Sequence, residues 1–265
     1  MSTAQSARPL ALVTGASSGI GLELARQFAL NGHDVVMAAD GHDKLEDART
    51  RLASEVPGGR FETVVVDLSS REGVSRLHDA LRSRPLAALA ANAGGGVAGR
   101  FSETDLDEEL AAIQLNVSGQ VHLVKLVLRD MLARGEGRIL ITSSLVSLSP
   151  GPFMAIYAAT KAFLRSFGLA IRNELRDDPV TVTILMPGAT DTDFFESADM
   201  EDTNIAQGDK DDPSDVAKEA YAALMKGSAQ VVSGTANKLR AAAARITPDI
   251  ALAQINRDQA RSDGG

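Results

Sequence analysis

The chain has 265 residues, 44% of them hydrophobic and 23% charged, the balance of a globular protein able to bury a core without staples. It has no cysteine, which excludes disulfides, thiolate metal sites and a cysteine nucleophile. Residues 1–10 lack the apolar run of a secretory signal, so a cytoplasmic location is expected. No apolar run approaches the roughly 20 residues of a membrane span, and 27 Lys and Arg against 35 Asp and Glu leave a net charge of −8, which disfavours nucleic acid as a partner.

Short apolar or β-branched runs alternate with amphipathic stretches along the chain. The runs at 10–14, 34–39, 61–66, 86–91, 138–142, 180–186 and 230–233 read as strands buried on both faces. Helical patterns fall at 19–31, 43–54, 71–82, 103–134, 153–176 and 214–226. In the fourth of these, Ile113, Val117, Val121, Val124, Leu128 and Met131 mark one apolar face. The alternation predicts an α/β fold, a doubly wound parallel sheet of about seven strands with helices on both faces, in a single domain spanning 1–265. Residues 237–245 read as a short basic helix and 261–265 as a frayed end.

The acidity is local. Residues 191–215 hold ten acidic side chains and one base, Lys210, so this segment carries −9 and the remainder about +1. A solvated insert is one reading of it. Phe194, Phe195 and Met200 point instead to a lid over an apolar substrate.

The first strand runs into Thr14-Gly15-Ala16-Ser17-Ser18-Gly19-Ile20-Gly21 and then a helix. Glycines let the backbone turn sharply and approach a pyrophosphate, while the helix N-terminus offers free N–H groups. No lysine follows them, which disfavours a P-loop. Asp67 follows the third strand, beside Leu68, and Asn92-Ala93-Gly94 follows the fourth; both lie where open α/β sheets bind ligands.

The fifth strand ends in Thr142-Ser143-Ser144; Tyr157 comes 13 residues after Ser144 and Lys161 four after that. Tyr157 and Lys161 project from one helix face. An ammonium beside a phenol favours phenolate, so Tyr157 is expected to have a lowered pKa and to serve as an acid/base. A serine hydroxyl nearby suits a developing oxyanion.

With these motifs assembled, the chain resembles the short-chain dehydrogenases/reductases. The match comprises residues 14–21, Asp67, Asn92-Ala93-Gly94, Asn116, Ser144, Tyr157-x-x-x-Lys161 and Pro187-Gly188 followed by Thr192, over about residues 8–192. The resemblance implies a Rossmann-like fold and hydride transfer between a nicotinamide cofactor and a secondary alcohol or ketone. In that reading Tyr157 exchanges the proton, Lys161 lowers its pKa and binds the ribose, Ser144 polarises the carbonyl, and Asn116 holds a water linking Lys161 to solvent. Ser143 stays an alternative to Ser144. Gly15, Ser17, Ser18, Gly19, Ile20 and Gly21 cradle the pyrophosphate, Asp67 and Leu68 meet the adenine, Asn92, Ala93 and Gly94 brace the sheet, and Pro187, Gly188, Thr190 and Thr192 face the carboxamide. Residues 214–265 supply a last helix, a strand and a C-terminal arm. A homodimer or homotetramer through the two long helices is also implied.

Cofactor choice turns on the end of the second strand. Asp40 lies 19 positions after Gly21, where a carboxylate accepts hydrogen bonds from a ribose 2′-hydroxyl and repels a 2′-phosphate. NAD(H) is favoured; NADP(H) stays open, because Asp40 in the role of helix cap leaves a phosphate to Lys44 or His42. The four histidines show no ligand spacing and read as surface residues, and no metal is expected. The rival to an enzyme is a non-catalytic dinucleotide sensor or scaffold on the same fold. Epimerase or dehydratase chemistry is disfavoured because the length leaves little room for a larger substrate domain.

Overall fold

The computed structural model describes residues 8–81, 84–194 and 207–259. The β-branched and apolar runs form strands β1 (Leu10–Thr14), β2 (Asp34–Ala39), β3 (Arg60–Val65), β4 (Leu86–Ala91), β5 (Gly137–Thr142), β6 (Val180–Met186) and β7 (Gln230–Val232). All neighbours pair in parallel, in the order β3-β2-β1-β4-β5-β6-β7. The order reverses between β1 and β4, so a crevice opens there at the carboxyl ends of the strands.

Because the central strands bury both faces, two cores result. On one face Leu12, Leu89, Ile139 and Ile184 meet Leu77, Met131 and Leu164 from helices α3 (Arg71–Leu81), α5 (Gln120–Arg134) and α6 (Ala155–Glu174). On the other, Val13, Met37, Leu140 and Leu185 meet Phe28, Leu45, Leu52 and Leu224 from α1 (Gly19–Leu30), α2 (His42–Glu55) and α7 (Pro213–Lys226). Removing a side chain such as Leu12 or Phe28, each fully buried, would cost about 2–5 kcal/mol.

Four expectations need correction. The long fourth helix starts at α4 (Leu106–Ile113), where the Asp105 carboxylate accepts from the Asp107 and Glu108 amides, and it is not continuous. A π-helical turn, Gln114–Gly119, separates α4 from α5; such a turn widens the helix and redirects its side chains, and this one turns Asn116 into the interior. His33 is buried, edge-on to Phe28 and near Tyr221, because an imidazole fills that aromatic gap. Beyond the basic helix, now α8 (Thr235–Ala244), a further helix α9 (Asp249–Gln259) appears where no strong apolar period announces it. Phe195, Met200 and the 261–265 tail lie outside the described residues.

Candidate active site

The glycine turn is built on close backbone approach. Gly15 and Gly19 have φ of +63° and +51°, in the region that favours glycine. A Cβ on Gly21 would lie 1.9 Å from the Gly15 carbonyl oxygen, and one on Gly15 would lie 2.9 Å from the Ala93 Cα. The loop is therefore clamped against the segment after β4, leaving the N-terminus of α1 open to the crevice. A cavity of about 920 Å³ begins here, where Ser17, Ser18 and Ile20 line it, and runs past Asp40, Asp67 and Leu68 to Ser144, Tyr157 and Lys161. Pro187, Gly188, Thr190 and Thr192 line it as well. Its length, its glycine cradle and the exposed Asp40 at one end suit a dinucleotide.

Asn92 ties three strands together. Its amide Nδ2 donates to the Thr14 carbonyl at 3.2 Å, its Oδ1 accepts from Thr142 Oγ1 at 3.0 Å, and its backbone N–H donates to Thr14 Oγ1 at 2.9 Å. Thr14 Oγ1 also accepts from the Ala93 N–H at 3.0 Å. Thr14 thus matters to the site as a brace. Its only trace in the sequence is a hydroxyl at the end of an apolar strand.

At the far end of the glycine cradle, Ser143 and Ser144 have different partners. Ser143 also lines the cavity, and its Oγ donates to the Lys161 carbonyl at 2.7 Å. Ser144 lines the cavity and hydrogen-bonds to Tyr157. Lys161 Nζ donates to the Thr142 carbonyl at 3.1 Å and stands 5.6 Å from the Tyr157 ring centroid. Asn116 is fully buried, donating from Nδ2 to the Gly95 carbonyl at 2.8 Å and to Thr160 Oγ1 at 3.0 Å. A Cβ on Gly94 would meet Asn116 Oδ1 at 3.0 Å and Lys161 Nζ at 3.2 Å, so both groups abut one point behind the cavity. Asn116 does not face the cavity itself.

The expected lowering of the Tyr157 pKa is not what the protein alone produces. Burial pushes the phenol up to about 12, against the opposing hydrogen bond from Ser144. Burial also pulls Lys161 down to about 8. The Tyr157 hydroxyl is thus a held proton, and the buried ammonium carries a desolvation cost.

The start of the acidic segment folds over this end. Phe194 packs on Tyr157 with ring centroids 4.9 Å apart, Thr192 seats on Gly19, and Asp193 pairs with Lys44 at 3.7 Å. The segment returns at Asp211, whose N–H donates to the Ala189 carbonyl at 2.8 Å and whose carbonyl accepts from the Asp191 N–H at 3.0 Å. Met154 and Ala98 complete the apolar surroundings of Tyr157. Among the described residues no cluster of metal-ligating side chains occurs and no helix is long and apolar enough to cross a membrane.

Comparison with known proteins agrees with this geometry. The family model for short chain dehydrogenase matches residues 9–203. The uncharacterized oxidoreductase YbbO of Escherichia coli is 35% identical over 202 residues, covering 75% of this chain and 70% of its own. A short-chain dehydrogenase from Sphingobium yanoikuyae, solved in complex with NADPH, superposes with a TM-score of 0.80 at 26% identity, over 97% of this chain and 99% of that one. A Burkholderia phymatum short chain dehydrogenase/reductase, solved in complex with NAD, shares the fold with a TM-score of 0.81 at 23% identity, over 89% and 92% of the two chains. The chain belongs to the short-chain dehydrogenase family of oxidoreductases.

Proposed function

We propose that the protein interconverts a secondary alcohol and a ketone with a nicotinamide cofactor, Tyr157 acting as the general acid/base. The observation that carries this reading is the convergence of Ser144, Tyr157 and Lys161 at one end of a cavity whose other end is a glycine cradle. Gly15, Gly19 and Gly21, with Ser17, Ser18 and Ile20, would hold the phosphates. Asp40 would accept from the ribose hydroxyls and so favour NAD(H). Asp67 and Leu68 would flank the adenine, and Asn92, Ala93, Gly94, Pro187, Gly188, Thr190 and Thr192 would frame the nicotinamide end. The cofactor, when bound, supplies or accepts the hydride.

The chain's own residues handle the oxygen and its proton. In reduction the Ser144 hydroxyl hydrogen-bonds to the carbonyl oxygen and stabilises the charge that develops on it. Tyr157 gives its Oη proton to that oxygen, yielding the alcohol and a phenolate, which Lys161 stabilises as a neighbouring ammonium. Asn116, pinned by Gly95 and Thr160, fixes the backbone beside Lys161 and would hold the water that links Lys161 to solvent. Met154 and Phe194 exclude water from Tyr157 and suit a neutral, apolar substrate.

The test is a screen of apolar ketones and secondary alcohols with both cofactors, followed by Tyr157→Phe. The variant should lose at least ~10²-fold in kcat while binding cofactor normally; near-normal turnover would overturn the assignment. We further propose a cytoplasmic homodimer or homotetramer joined through α5 and α6, whose Leu132 and Phe163 are exposed. A light-scattering mass of one 27.8 kDa chain at micromolar concentration would count against it.

A further inference from the structure

The cavity continues beyond Tyr157 to a region that no motif marks. Its far end is walled on one side by Leu148, Ser149 and Met154 and on the other by Leu252, Ile255 and Asn256 of α9. The two sides are far apart in the chain yet directly joined: Asn256 Nδ2 donates to Ser149 Oγ and to the Pro150 carbonyl, both at 2.8 Å. The Arg257 guanidinium stands 5.7 Å from the Phe153 ring centroid. Phe153 has a φ of +62°, which a bulky residue rarely adopts and which costs about 1–3 kcal/mol. Its carbonyl accepts from the Gly99 N–H at 2.8 Å, so the strained loop is held in place where α9 docks.

No residue of α9 belongs to either core of the sheet. Ile250 is 88% exposed, while Leu252 and Ile255, on the cavity side, are only partly covered. The helix is therefore seated by polar contacts at its docking face and offers two aliphatic side chains to the cavity. Arg240, which lines this end, is electrostatically engaged with Asp211. Leu148, Met154 and Phe194 line the same cavity, so the aliphatic pair adds to an apolar stretch of its wall.

We infer that α9 is the distal wall of the substrate chamber, where Leu252 and Ile255 select a neutral ketone or alcohol with an elongated apolar body, and Asn256 is the residue that positions the wall. The inference deepens the proposed function and rests on it for the reacting end of the substrate. An apolar stretch of this kind rewards each buried methylene by about fourfold in affinity. It also predicts that substrates too short to pass Tyr157 are indifferent to α9.

The test uses the full chain and two readouts. Nile red, a neutral apolar dye, reports occupation of this stretch without turnover, and the ratio of kcat/KM for 2-decanone to that for 2-butanone reports selection. Leu252→Trp should weaken Nile red binding about tenfold or more and lower the ratio by a similar factor, with the dinucleotide Kd unchanged. Asn256→Leu should raise KM for 2-decanone and lower the same ratio, with the dinucleotide Kd unchanged. Unaltered dye affinity and an unaltered ratio in Leu252→Trp would overturn the inference. Failure of the catalytic reading looks different: Tyr157→Phe would keep its turnover while Leu252→Trp still weakened the dye.

Discussion

The two ends of the cavity are held together by different physics. At the cofactor end, backbone touches backbone: a Cβ on Gly21 would sit 1.9 Å from the Gly15 carbonyl oxygen. At the substrate end, α9 is seated by a side-chain amide, Asn256, reaching 107 residues back to Ser149. The first kind of contact tolerates only glycine and so is written into the sequence. The second can be made by many residue pairs and leaves no spacing to read.

One added side-chain group at each end gives the sharpest test. Gly21→Ala should destabilise the protein by about 3 kcal/mol and weaken dinucleotide binding by about 100-fold, because the glycine loop must move to admit the Cβ. Ala251→Leu, on the exposed side of α9, adds more atoms and should change stability by less than about 0.5 kcal/mol. Urea unfolding and a fluorescence titration with NADH measure both. Equal costs at the two ends would erase the distinction.

Legibility in the sequence follows the same division. The parallel sheet is visible because a strand covered on both faces is largely apolar, as Leu10–Thr14 and Val180–Met186 are. Tyr157 and Lys161 are visible because helix geometry fixes an i, i+4 pair on one face. The π turn at 114–119 is not visible, since its residues keep the helical period on either side. Nor is the difference in partners between Ser143, which donates to the Lys161 carbonyl, and Ser144, which bonds to Tyr157. The rise of the Tyr157 pKa was hidden for a related reason: spacing places an ammonium nearby but says nothing about how little water reaches the pair.

That burial makes a directional prediction about pH. With Tyr157 pushed up to about 12 in the free protein, the phenol retains its proton for ketone reduction across neutral pH. Alcohol oxidation needs the deprotonated oxygen, so its kcat/KM should climb with pH, approaching about tenfold per unit below the governing pKa. Rates measured from pH 6 to 9 check this, and a flat oxidation profile would contradict it. The dependence should vanish with Tyr157→Phe but persist in Leu252→Trp, which again divides the two ends.

Cofactor choice is a test within the cofactor end. Asp40 is exposed, lines the cavity and lies just past β2. Loss of a charge-assisted hydrogen bond of about 1.5–3 kcal/mol corresponds to roughly tenfold or more. Asp40→Ala should therefore weaken NADH by about tenfold and tighten NADPH, since the carboxylate no longer opposes the 2′-phosphate. Wild-type binding at least tenfold tighter for NADPH, unchanged in the variant, would instead assign the phosphate to Lys44, which borders the same part of the cavity.

A last expected effect concerns stability, and its sign is opposite to that of Gly21→Ala. Lys161 is fully enclosed, and burial lowers its pKa from 10.5 to about 8. Below pH 8 the folded and unfolded chains both carry the proton, so the folded protein bears the whole cost of a buried ammonium. Between pH 8 and 10.5 the folded protein sheds the proton first, and the cost shrinks. Lys161→Met keeps the length of the side chain and removes the charge, while giving up the hydrogen bond to the Thr142 carbonyl. The desolvation relieved should exceed the hydrogen bond lost, leaving the inactive variant about 1 kcal/mol more stable than the wild type at pH 7. The advantage should fade as the pH is raised through 8 towards 10.5, because the wild type recovers. Urea unfolding of both proteins at pH 7 and pH 10 measures the difference. A gap that does not change with pH would mean that packing, and not the buried charge, sets the cost of Lys161.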